Sequence, residues 1–66
     1  MKIEINLQET RIGYAVWTED GFVKYLHRGS ADECFNTAKF CWLQRYTETQ
    51  GNRMEDDSIT FVKVLA

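Results

Sequence analysis

The chain has 66 residues, enough for one domain near the lower limit at which a fold closes without metal or disulfide help. Its 44% hydrophobic, 14% aromatic and 27% charged residues make a globular rather than a disordered composition. A net charge of −2 lacks the basic surplus of a dedicated phosphate binder, and no apolar run approaches the ~18 residues of a membrane-spanning helix.

Ile3, Ile5 and Leu7 alternate with Lys2, Glu4 and Asn6, so residues 2–8 read as a half-buried strand. The same alternation is unlike the continuous apolar stretch of a signal peptide, and a cytoplasmic location is expected. Gln8-Glu9-Thr10 is a polar connection. Arg11 to Trp17 reads as a second strand with bulk on both faces, Ile12, Tyr14 and Val16 on one and Ala15 and Trp17 on the other. Thr18-Glu19-Asp20-Gly21 supplies a turn, because Asp-Gly tolerates positive φ, and Phe22 to His27 returns as a third strand.

Arg28-Gly29 breaks the strand and Ser30 opens a helix. Ser30 and Glu33 stand at capping-box spacing, and Asp32 and Glu33 suit the positive end of the helix dipole. The helix is expected from Ala31 to about Thr49, with Gly51 as a left-handed cap. Glu55-Asp56-Asp57 reads as a solvated acidic loop, and Ser58 to Leu65 as a β-branched final strand. The whole is a single domain of α+β class. A three- or four-stranded, mainly antiparallel sheet, in the order strand, strand, strand, helix, strand, carries one long helix on one face.

At about 100° per residue, Ala31, Cys34, Phe35, Ala38, Cys41, Trp42 and Tyr46 form the stripe that packs on the sheet. Arg45 falls inside that stripe, where pairing with a carboxylate of residues 55–57 would accommodate it. Phe40 and Leu43 fall outside it. They are candidate apolar anchors for a partner, or else a site over which the 50–58 loop folds. One helix covers one sheet face only, so Phe61 and Ile59 are expected on one face and Val62 and Val64 on the other. A large aromatic of the second strand must then point away from the core. Trp17 and Tyr25 are the candidate aromatic contacts of the sheet, and Glu55, Asp56 and Asp57 a rim that steers a basic target. The partner is expected to be a larger protein. A homodimer and a single-stranded nucleic acid stacked on the sheet are the alternatives.

Catalytic chemistry is not indicated. His27 is the only histidine, the four glycines form no phosphate loop, and Cys34 and Cys41 read as buried thiols. About 10 Å would separate those cysteines along one helix, too far for a bridge. No metal or cofactor is expected.

From Tyr14 to Val64 the plan of hairpin, capped helix and last strand resembles small phage proteins that bind and inhibit host machinery. The features that carry the likeness are Tyr14-Ala15-Val16-Trp17, Asp32-Glu33, Trp42 with Tyr46, and Phe61-Val62-Lys63-Val64. Inhibitors of bacterial RNA polymerase from T7-like phages and anti-CRISPR proteins are the groups concerned. The resemblance implies a non-catalytic inhibitor that occludes a surface of a nucleic-acid-processing complex. Tyr14-x-Val16, Glu19-Asp20-Gly21 and Ser30 with Asp32-Glu33 are also similar to the N-terminal domain of HicB-type antitoxins, without that domain's proline-containing segment.

Overall fold

A computed structural model describes residues 1–51 and 59–66. The elements are β1 (Lys2–Glu9), β2 (Tyr14–Trp17), β3 (Lys24–His27), α1 (Ala31–Gln50) and β4 (Thr60–Leu65). The strands make one sheet in the order β3-β2-β1-β4. The two hairpin pairings are antiparallel and β4 is parallel to β1. A parallel neighbour needs a crossover connection, and α1 supplies it, carrying the chain from the β3 edge to the β4 edge. This is the expected α+β architecture, mostly antiparallel with one long helix.

Period-two alternation places Ile5 and Leu7 of β1 and Val16 of β2 on the face under α1. From above, Cys34, Ala38 and Trp42 descend onto them at i, i+4 and i+8, and Val23 and Ile59 complete the buried core. Trp42 is the largest member. It stacks on Tyr46 at 5.2 Å, meets Phe61 edge-on at 5.7 Å and lies 5.7 Å from Phe22 between ring centroids. The helix packs mainly over β1 and β2, so the outer strand β4 is only partly covered.

The ends of α1 are chemically defined. Ser30 Oγ accepts the Glu33 N–H at 3.2 Å, and Gly51, at φ 72°, returns its N–H to the Thr47 carbonyl at 2.9 Å. At the β4 end of the molecule, Lys63 pairs with Asp32 at 2.7 Å, tying the start of the helix to the last strand.

Three sequence expectations are corrected. The second strand begins at Tyr14, not Arg11, because Thr10 N–H bonds the Gly13 carbonyl at 2.8 Å and turns the chain, leaving Ile12 55% exposed. Gly13 suits the junction, since a β-carbon there would run into the His27 backbone carbonyl. The third strand begins at Lys24. Arg45 is exposed and not buried in the stripe. Twenty residues of helix span about 30 Å, whereas the four-residue β2 and β3 span about 13 Å, so the last turns of α1 overhang the sheet.

Candidate functional site

Among the described residues, two apolar surfaces are left uncovered, on opposite sides of the sheet. The first is the face away from α1. Strand register lines up Lys24, Trp17, Asn6 and Val64 in one row across all four strands, with Leu26 beside Ala15 and Val62 beside Glu4. The result is two apolar patches, Leu26, Ala15 and Trp17 on β3 and β2 and Val62 and Val64 on β4, divided by the polar Glu4, Asn6 and Gln8 of β1. Leu26 is 64% exposed and the others are half-buried. The Asn6 side-chain amide donates to the Trp17 carbonyl at 3.2 Å and so spends its polar end on the backbone beside the indole. A shallow hollow of about 400 Å³ lies between β2 and β3 along Ala15, Trp17, Lys24 and Leu26.

The second surface lies where α1 meets β4. Asn36, Lys39, Phe40 and Leu43 of the helix and Phe61 of the strand line a groove of about 390 Å³. Phe40 is 74% exposed, the largest value among the exposed large apolar side chains described. Leu43 leans inward, half-buried against the core. The Lys39 ammonium lies 5.0 Å from the Phe35 ring and supplies a cation at the groove's rim.

These positions separate the residues that sequence reasoning grouped. Phe40 and Leu43 share the groove, whereas Trp17 is on the other side of the sheet. Tyr25 is paired with Val16 on the helix side, its ring 5.9 Å from His27. Its hydroxyl is buried beside the Cys41 thiol with no closer polar partner among the described residues, and burial, reinforced by the Cys41 and Cys34 thiols, pushes its pKa up. Glu55, Asp56 and Asp57 lie outside the described residues. Leu26, the most exposed member of the sheet patches, was not singled out from the sequence. Its signal was the alternation Lys24-Tyr25-Leu26-His27, which puts Leu26 opposite in facing to Tyr25.

A polar clasp at the hairpin tip also escaped sequence reasoning. Asp20 Oδ1 accepts the Thr18 hydroxyl at 2.5 Å and the Phe22 N–H at 2.9 Å, and Oδ2 accepts the Trp42 indole N–H at 2.6 Å. Partial burial raises the carboxyl's pKa, but the bonds from Thr18, Trp42 and Phe22 outweigh it, and the net shift is downward. Aspartate here secures the turn to the helix. The fold also brings Cys34 Sγ to 3.4 Å from His27 Nδ1. That nitrogen lies 2.5 Å from the Arg28 carbonyl, and the thiol faces the His27 carbonyl at 3.6 Å. Burial first and the Glu33 carboxylate second raise the Cys34 pKa, which is opposite to what a thiolate nucleophile requires.

Among the described residues no three potential metal ligands converge, and no helix is long and apolar enough to cross a membrane. Comparison with protein families, curated proteins and solved structures finds no match to this chain.

Proposed function

We propose that the domain is a non-catalytic protein-binding module that engages its partner through the bare face of the sheet. The observation that carries this is the apolar side chains on the side opposite α1, Leu26, Ala15 and Trp17 on β3 and β2 and Val62 and Val64 on β4, which flank the polar Glu4, Asn6 and Gln8 of β1. A protein surface answers such patches because four of their five members are aliphatic, offering area to bury rather than rings to stack on. Trp17 is the anchor, with Lys24 and Glu4 as polar neighbours that orient the docked surface. In its inhibitory form the bound surface is one that a nucleic-acid-processing complex needs, and the domain acts by covering it. The residue pattern that resembles small phage inhibitors is what supports that extension.

The test is affinity capture of the tagged protein from nuclease-treated bacterial lysate, beside a Trp17→Ser variant of unchanged circular dichroism. A stoichiometric protein retained by wild type and lost, by at least about tenfold, with Trp17→Ser is the expected result. Retention that depends on intact nucleic acid would transfer Trp17 to a base-stacking role. Retention indifferent to Trp17 would remove the sheet face as the interface.

A further inference from the structure

The groove between α1 and β4 and the open edge of β4 are one surface, and we infer that a second copy of this chain occupies it, pairing β4 with β4 about a two-fold axis. The backbone comes first. Thr60 N–H donates to the Met1 carbonyl at 2.7 Å, and Ala66 N–H to the Leu7 carbonyl at 2.8 Å. Even-numbered residues of β4 therefore direct their amides at β1. Those of Phe61, Lys63 and Leu65 point outward, where no described strand meets them. This edge lacks the usual protection. Thr60-Phe61-Val62-Lys63-Val64-Leu65 is β-branched and aromatic, without glycine or proline. Its single charge, Lys63, is drawn over the sheet to Asp32. The opposite edge, β3, is four residues long and ends in Arg28-Gly29, which makes it the poorer template.

The helix is set over β1 and β2, and among the described residues the space beside it above β4 is open. Phe40 and Leu43 overhang that space with Phe61 as its floor. A fifth strand beside β4 would fill it, and a second β4 supplies one whose outward amides and carbonyls match its own in an antiparallel pair. A two-fold axis normal to the sheet makes the two β4 strands antiparallel and puts both helices on the same side. Phe40 shares its groove with Phe61, the neighbour of Val62 in β4, and so lies on the side that the second copy approaches.

Register follows from facing and charge. Opposed residues must share a face, so the axis passes at Phe61, Val62 or Lys63. Centring on Lys63 would oppose two ammonium groups, and centring on Phe61 would leave Leu65 beyond the partner strand. Centring on Val62 opposes Phe61 to Lys63, Thr60 to Val64 and Ile59 to Leu65 of the second copy. The outward amides of Phe61 and Lys63 then form the hydrogen-bonded pairs, and each Phe61 ring has a lysine beside it. Each copy contributes Phe40, Leu43, the exposed part of Phe61 and a six-residue edge to the pairing. This surface is separate from the bare sheet face, which the pairing would double rather than cover.

Solution mass by light scattering and sedimentation, from micromolar to millimolar concentration, is the measurement. Wild type is expected to reach twice 7.8 kDa. Phe40→Glu, at a side chain already 74% exposed, should weaken association by at least about tenfold with unchanged melting and circular dichroism. Leu65→Pro, which deletes one outward N–H, should weaken it as well, and Trp17→Ser should leave it intact. A mass of 7.8 kDa throughout, a dimer that survives both Phe40→Glu and Leu65→Pro, or a dimer dissolved by Trp17→Ser would each overturn the assignment.

Discussion

Asp20 shows how a single carboxylate can serve turn and core together. Its two oxygens accept Thr18, Phe22 and the Trp42 indole, so the hairpin tip is tied to the largest buried side chain in the described residues. Asp20→Ala should cost about 2 kcal/mol, the typical net value of charge-assisted hydrogen bonds reduced for a group that solvent reaches. The pH dependence follows from the direction of the shift. Asp20 in the fold lies below its ordinary 3.8, so the stabilisation is full above that value and is lost as pH falls through the lower folded value. Asp32 is shifted the same way by the Lys63 hydrogen bond and charge, and its exposed pair is screened by salt. Melting temperature should hold from neutral pH to about pH 4 and decline below it, and Asp20→Asn should flatten that decline in high salt. A decline unchanged by Asp20→Asn would assign the acid sensitivity elsewhere. From the sequence, Asp20 was legible as a turn former because Asp-Gly is a local signal. Its bond to Trp42 was not, because 22 residues separate the two.

Among the elements, α1 was the most legible and the strand ends the least. Ser30, Asp32, Glu33 and Gly51 are local chemistry, and each occupies the cap or first turn that its type implies. Ser30→Ala should therefore cost about 1 kcal/mol in urea denaturation, since it strips the Glu33 N–H of its acceptor without touching the core. A cost near zero would mean that water or a neighbouring group satisfies that amide equally well. Angular position identified the stripe that is buried at Cys34, Ala38 and Trp42, yet it placed Arg45 inside as well. Periodicity gives direction around a helix but not where the supporting sheet stops. The turn at Thr10–Gly13 was missed for a related reason. Nothing local distinguishes Ile12 from a strand residue, and the Gly13 contact with the His27 carbonyl arises only once β2 and β3 pair.

The described residues make a covered face, a bare face and an open edge. The apolar surplus of the sequence resolves into these three places. Alternation along each strand was enough to say that Phe61 and Ile59 would share one face and Val62 and Val64 the other, and that a large aromatic of β2, Tyr14 or Trp17, would turn from the core. It could not say that Trp17 and Phe40 end on opposite sides, because that depends on strand order and on which strands the helix covers. Tyr25 illustrates the limit. One residue from Leu26, it faces the helix while Leu26 faces solvent. The two proposals give these separated surfaces different occupants, a second copy along β4 and a partner protein on the bare sheet.

The measurement that bears most directly on this division is photo-crosslinking in bacterial cells, with p-benzoylphenylalanine placed at position 17 or at position 40. Position 17 should yield an adduct with a different protein, resistant to nuclease, and position 40 an adduct of twice the chain's own 7.8 kDa mass. No protein adduct from position 17, or the same adduct from both positions, would contradict a partner-binding sheet face set apart from the β4 edge.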